Sequence, residues 1–296
     1  MPALYSADFK EVRMIPGRYA QAASWSDLRG TERPDKPWLN GKPRCIFVGD
    51  MGDTFSRAVT DEYLTRELLG AMTSKQGQRH FWMLLTKRPK RLAELAKQWG
   101  GLPDNAMAMT TVTNQRTAVV RVPQLLQVPC KWRGLSVEPL LQQVRIELSG
   151  RCPQCGGGEG FEECQFCARE YGDTVTVDRI HWVICGGESG TKARPMHPNW
   201  PRHIRDDCDV YDVPFFFKQW GDWSPGADRN FHSEQSPLYC IKPSGELSWY
   251  AGDEDTCINC STNYAEGDVA ISRMGKKGAG RELDHRQWNG FPEIEA

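Results

Sequence analysis

Two C-x-x-C pairs, Cys152-Pro153-Gln154-Cys155 and Cys164-Gln165-Phe166-Cys167, stand eight residues apart. Four thiolates at that spacing can surround one tetrahedral zinc ion, and Gly156-Gly157-Gly158 supplies a tight turn after the first pair. Four protein ligands close the coordination sphere, so the expected zinc is structural and staples its segment. A lone pair, Cys257 and Cys260, could form a second site with Cys240 and His232. Cys45, Cys130, Cys185 and Cys208 read as small buried hydrophobes. Eleven cysteines, an odd number, with no export signal fit a reduced chain in which paired spacings mean metal rather than disulfide.

A second set of chemistry-bearing residues recurs directly after apolar runs. The clusters are Gly49-Asp50-Met51-Gly52-Asp53, Thr86-Lys87-Arg88, Thr111-Val112-Thr113-Asn114, Ser136-Val137-Glu138-Pro139, Gly186-Gly187-Glu188-Ser189-Gly190 and Lys218-Gln219-Trp220-Gly221. Asp50, Asp53, Glu138 and Glu188 are the candidate catalytic carboxylates. The aspartates would orient ligands or act as a base, and the glutamates would position amino or hydroxyl groups. Lys87, Arg88 and Lys218 would hold anionic groups, with Asn114, Ser189 and Gln219 as hydrogen-bonding partners of a cofactor. Gly186 and Gly187 either let backbone N–H groups cradle a phosphate or carboxylate or simply make a tight turn. The loop matches neither the P-loop nor the dinucleotide fingerprint. Lys87, Arg88, Lys90 and Arg91, broken by Pro89, form a basic cluster suited to phosphates, at a helix start that disfavours cations. No spacing fixes a nucleophile or a general acid, so the reaction type stays open.

The elements that must position these clusters follow from the apolar pattern. Cys45–Val48, Phe81–Leu85, Ala106–Val112, Trp132–Val137, His181–Ile184 and Val213–Phe217 are continuous apolar runs of strand length. Such runs predict parallel strands buried on both faces. Between them, Leu64, Leu68 and Met72 share one helical face, and Leu92, Leu95, Ala96 and Trp99 share another until Gly100-Gly101 stops it. Asn199 is placed to cap a helix whose Trp200 and Ile204 face inward. The pattern over 115–126 is weaker, because Pro123 interrupts it. Alternating strands and helices predict an α/β fold: a (β/α) TIM-type barrel, partial or complete, or a doubly wound sheet. Both bring strand carboxyl ends to one ligand-binding face. The interval between the fourth and fifth runs is lengthened by the cysteine-rich stretch, which reads as an insertion at 151–171. The expected organisation is an irregular 1–43, a barrel core over 44–223 and a loop-rich extension over 224–296.

With 37 basic and 38 acidic residues, the whole chain has no pull toward nucleic acid or membrane, so such affinity requires a local patch. No apolar run approaches the ~18 residues of a membrane span. Asp8, Lys10 and Glu11 precede any hydrophobic stretch, so no secretory signal is visible and no membrane partner is expected. Several of the eleven tryptophans sit beside Gly, Asn or Pro, as pocket rims or loop anchors do.

As an ordered set the motifs carry a resemblance. They are Phe47 through Asp53, Leu84 through Pro89, Leu135 through Leu140, Trp182 through Gly190, Ala193-Arg194-Pro195-Met196, Pro214 through Gly221, and the tail Gly275 through Arg281. Over most of 38–223 and from 274 onward, the chain resembles the phage gene-product-thirty-seven/sixty-eight family, an uncharacterised phage and prophage domain. The resemblance implies a barrel related to radical S-adenosylmethionine enzymes and a cytoplasmic location in a bacterial host cell. It also implies S-adenosylmethionine beside a [4Fe–4S] iron–sulfur cluster held by an N-terminal three-cysteine motif. This sequence departs from the pattern there, because no cysteine precedes Cys45. A start placed further upstream, a separate chain carrying the motif, or loss of the cluster would each account for the departure. Three functional expectations follow. One is an enzyme or former enzyme binding a small anionic cofactor or nucleotide-like substrate. Another is a non-catalytic, zinc-containing nucleic-acid-binding phage protein. The last is a subunit whose partner chain completes an iron–sulfur enzyme.

Overall fold

All six apolar runs are strands in the computed structural model, which describes residues 12–49, 52–146, 148, 180–225, 238–249 and 267–294. The strands are β1 (Cys45–Val48), β2 (Phe81–Thr86), β3 (Ala106–Thr111), β4 (Trp132–Val137), β5 (Trp182–Gly186) and β6 (Phe215–Gln219). They form one sheet in chain order. β1–β2, β2–β3 and β5–β6 pair in parallel, with Cys45 opposite Phe81, Trp82 opposite Ala106 and Val183 opposite Phe215. A doubly wound sheet reverses its strand order at a switch point, whereas this order is that of a (β/α) barrel segment. Six strands make a partial barrel; a complete one has eight. The cysteine-rich insertion lies outside the described residues.

Packing divides the chain into two compact units. The first comprises Met1–Thr110, Arg121–Gly134 and Glu293–Ala296; the second comprises Thr111–Val120 and Leu135–Pro292. In the first unit, Thr60 caps a helical stretch through Asp61–Tyr63, a π-helical Leu64–Leu69 and Gly70–Thr73, its hydroxyl accepting from Tyr63 N–H at 3.2 Å. Leu64, Leu68 and Met72 are fully buried, as their spacing requires. The Pro89–Gln98 helix starts on proline, buries Leu92, Leu95 and Ala96, and ends before Gly100 and Gly101, both at positive φ.

In the second unit, the Asn199–Val210 helix buries Trp200 and Ile204 as expected, but Asn199 is not its cap. The His197 Nδ1 atom accepts the Asn199 N–H at 3.2 Å, and the Asn199 side chain instead accepts from Arg202 at 2.9 Å. The Gln115–Leu126 helix continues through Pro123. Pro123 and the preceding Val119 and Val120 are exposed, so the carbonyl that proline leaves without an N–H partner faces water.

The expected loop-rich extension contains a second sheet among its described residues. Strands β7 (Trp223–Pro225), β8 (Leu238–Ile241), β9 (Leu247–Trp249) and β10 (Val269–Arg273) pair antiparallel in the order β7-β10-β8-β9. Trp223, Ile241 and Ile271 pack with Ala193 beneath it, joined by Tyr239 and Val269. Residues 288–290 cover the free edge of β6: Phe217 N–H donates to Trp288 O at 3.0 Å and Gly290 N–H to Phe215 O at 2.9 Å.

The tryptophans are largely anchors. Among the described residues, Trp82, Trp99, Trp132, Trp182, Trp200, Trp220, Trp223 and Trp288 each donate the indole N–H within the protein, all but Trp99 to a backbone carbonyl. Each such bond satisfies an indole N–H while fixing the chain around it, which fits tryptophans placed beside loop residues.

Two buried histidines predict an acid-labile fold. His80 Nε2 donates to Ala23 O at 3.0 Å, and its Nδ1 has no hydrogen-bond partner. His197 Nε2 donates to Gly267 O at 2.8 Å while its Nδ1 accepts a backbone N–H, so both rings are neutral. Burial lowers the pKa of both below the ordinary value. The unfolded chain therefore takes up protons first. Stability is full above about pH 6.5 and falls below it, by up to about 1.4 kcal/mol per pH unit per histidine. Urea midpoints at about pH 7.5 and about 5.5 are expected to drop on acidification, and His197→Gln to remove part of that drop. An unchanged or higher midpoint at the lower pH would contradict the burial account.

Candidate functional site

At the carboxyl ends of β1 and β2, Asp53 organises the first unit. Its carboxylate accepts four bonds: Phe55 N–H at 3.1 Å, Thr86 O–H at 2.7 Å, Lys87 N–H at 3.1 Å and the Arg88 guanidinium at 2.6 Å. Only 14% of its side chain is exposed. This explains the misplaced basic cluster. Arg88 occupies the cap position of the Pro89–Gln98 helix, and its charge is compensated by Asp53. Arg91 turns away to bind the carbonyls of Phe55, Ser56 and Val59 and the Asp61 carboxylate, so it braces the loop after β1. Lys87 and Lys90 remain exposed. Sequence reasoning missed Arg121. Burial depresses its pKa, Asp53 counteracts that and the Arg88 charge adds to it, so Arg121 lies in the field of the Asp53–Arg88 pair. The surface pattern of its helix carried no signal for this.

At the carboxyl ends of β4, β5 and β6, the second unit brings together Glu138, Gly186, Gly187, Glu188, Ser189, Lys218 and Gln219. Lys218 Nζ lies 3.2 Å from Glu138 Oε1, and Ser136 O–H donates to Glu138 Oε2 at 3.3 Å. The Glu138 side chain is 15% exposed and that of Lys218 is 53% exposed, so the carboxylate is fixed and the ammonium faces solvent. Glu188 is held by Arg194 through one guanidinium edge, Nε at 2.8 and Nη2 at 2.9 Å, and by the Arg194 backbone N–H at 2.9 Å. These bonds keep the Glu188 carboxyl below its usual range, so it stays ionised at neutral pH and is no general acid. Gln219 donates to Ser189 Oγ at 2.9 Å and to Gly187 O at 3.3 Å.

The glycines here serve backbone packing. A Cβ on Gly187 would lie 1.9 Å from Trp220 O, and one on Gly186 would lie 2.8 Å from Glu138 Oε1. Gly221, at φ +86°, would place a Cβ 2.0 Å from Glu188 O. The loops after β5 and β6 thus interlock through bare backbone, with Gly187 N–H donating to Gln219 O and Asp222 N–H to Glu188 O, both at 2.9 Å.

Asn114 is a helix cap. Its side chain accepts the Thr117 N–H at 2.9 Å, while the Thr117 hydroxyl accepts the Asn114 N–H at 3.0 Å. Asp50 and the four candidate zinc ligands Cys152, Cys155, Cys164 and Cys167 lie outside the described residues, as do Cys257 and Cys260.

A family model described as a protein of unknown function, DUF5131, matches residues 4–292. The chain belongs to that family. No curated protein and no solved structure matches it. In this DUF5131 chain, no helix among the described residues is long and apolar enough to cross a membrane. The described cysteines do not fit the iron–sulfur cluster that the phage resemblance implies. Cys45 lies on β1, Cys185 on β5, Cys208 in the Asn199–Val210 helix, Cys240 on β8, and Cys130 just before β4. Among the described residues no three His, Cys, Asp or Glu side chains are grouped to hold a metal ion. Burial raises the Cys45 thiol to about 11 and the Cys185 thiol well above its usual value, so neither is a thiolate at neutral pH.

Proposed function

We propose that this protein is an enzyme, or a former enzyme, that binds an anionic cofactor or nucleotide-like substrate at the carboxyl ends of its strands. The observation that carries this reading is the cationic end of β2, where the exposed Lys87 stands beside Arg88, itself paired with Asp53, and Arg121 lies in the field of that pair. A phosphate group there would accept N–H bonds from Arg88 and Lys87 and sit in the field of Arg121. Asp53 neutralises Arg88 in the unliganded protein and competes with such an anion for it. In the second unit, the Glu138–Lys218 pair would take a ligand amine or hydroxyl on Glu138 and a ligand anion on Lys218. The descent from radical S-adenosylmethionine barrels of phages, and a bacterial cytoplasmic setting, belong to this proposal and rest on the ordered motifs. A structural zinc at Cys152, Cys155, Cys164 and Cys167 rests on spacing alone.

The test is calorimetric titration of anaerobically purified protein, after zinc and iron analysis, with ADP, S-adenosylmethionine and inorganic phosphate. At least one ligand is expected to bind. Arg88→Gln and Arg121→Gln are each expected to weaken it about tenfold or more, the scale of one charge-assisted contact. Lys97→Gln, on an exposed helix end, should leave it unchanged. No binding by any of the three, or binding indifferent to both arginines, would sink the proposal. A second reading, a subunit completed by a partner chain, is favoured by the scatter of the five described cysteines. It predicts a co-purifying protein that brings the iron.

A further inference from the structure

We propose that the second unit carries a docking surface for the phosphate backbone of duplex nucleic acid, formed by Lys192, Arg194, Arg273, Lys276 and Lys277. Three segments far apart in sequence meet to build it. Arg273 donates to Gly190 O at 2.7 Å and lies 3.4 Å from the Asp222 carboxylate, which also accepts the Gly190 N–H at 3.2 Å. Met274 and Gly275 N–H donate to Asp222 O at 2.9 and 3.0 Å, and Trp220 N–H donates to Gly280 O at 3.1 Å. The loop after β5, the turn after β6 and the Lys276-Lys277 tail are thereby pinned together. Each of the five cations lies at most four residues along the chain from Gly190 or Arg273, within roughly 15 Å.

The charge there is one-sided. All five cations are exposed, whereas the two acidic side chains of these segments, Glu188 and Asp222, are largely covered and already engaged by Arg194 and Arg273. Among the described residues of these segments, five cations against two carboxylates leave an excess of three positive charges, on a chain whose net charge is -1. Such segregation attracts a polyanion locally when the whole molecule does not. Ser189, Gly190, Thr191 and Gly278 are exposed and small, so a phosphate chain can approach the backbone. Trp220 and Trp223 are buried, so no exposed indole of the patch stacks on unpaired bases. Among the described residues, Met274 is its only large exposed apolar side chain, too little for an interfacial membrane face. These features favour sequence-independent contact with a duplex. This surface belongs to the second unit and the Arg88–Arg121 constellation to the first.

The test is fluorescence polarisation of a labelled DNA duplex of about 20 base pairs, from about 50 to 300 mM KCl. Log K is expected to fall with log salt at a slope near -3, about one per phosphate neutralised. The Lys276→Gln/Lys277→Gln variant is expected to bind about tenfold or more weakly at the lowest salt and to lose about two from that slope. Lys97→Gln should bind like the parent. Nucleotide titration of the double variant should match the parent too, which separates this surface from the strand-end site. Absence of duplex binding at low salt, or an unchanged double variant, would overturn the inference. So would Lys276- and Lys277-dependent uptake onto phosphatidylserine-rich vesicles by a protein that ignores DNA.

Discussion

Gly221→Ala is expected to destabilise the second unit by about 3–5 kcal/mol, the largest effect of any single methyl group added at the strand ends. Two costs combine. The new Cβ would stand 2.0 Å from Glu188 O and 2.7 Å from Glu188 C, so one of two paired backbones has to shift. The φ of +86° adds the left-handed cost, about 1–2 kcal/mol for a residue with a side chain. Because Asp222 N–H donates to Glu188 O, the shift also disturbs the loop that carries Glu188. A thermal midpoint lower by roughly 10 °C is the expected reading. Gly190→Ala is the control. It too has positive φ, +109°, but no atom lies within 4 Å of its Cβ, so only the conformational cost applies. Equal losses at Gly221 and Gly190 would mean that close backbone approach is not what selects glycine here.

Asp53→Asn is expected to cost about 3 kcal/mol in the first unit while raising its affinity for anions. All four bonds to the carboxylate come from donors, so the amide nitrogen of asparagine meets N–H or O–H groups whichever way it turns. Arg88 also loses its counter-charge. Urea unfolding reads the stability loss. Titration of the folded variant with inorganic phosphate reads the affinity, which rises because a negative charge beside Arg88 and Arg121 is gone. A stability change under about 1 kcal/mol would deny Asp53 its organising role. A fall in phosphate affinity in a folded variant would mean instead that the carboxylate touches the ligand itself, the role its position in the sequence first suggested.

The six barrel strands and most helices were legible in the sequence, because what makes them is local. A strand buried on both faces must be apolar along its whole length, as Trp132–Val137 is, and a helix packed on a sheet must repeat its apolar residues every three or four positions, as Leu64, Leu68 and Met72 do. Polar strand ends were legible for the same reason. The second sheet was not. Its strands are three to five residues long, and β7 pairs with β10 from Trp223 to Arg273, across a stretch whose composition reads as loop. Partnership was equally out of reach. Asp53 holds Arg88 across 35 positions of the chain, and Glu138 meets Lys218 across 80. Gly187 is bare because Trp220 O, from another strand end, lies against it. No local pattern encodes which of these distant segments come together. Burial and periodicity act within a few residues, so the order of residues already sets which segments become strands and helices and which charges stand at their ends. Which charges neutralise one another, which glycines serve the neighbouring backbone, and where cations are left facing water emerge in the folded chain, because they depend on distances that the linear order does not contain.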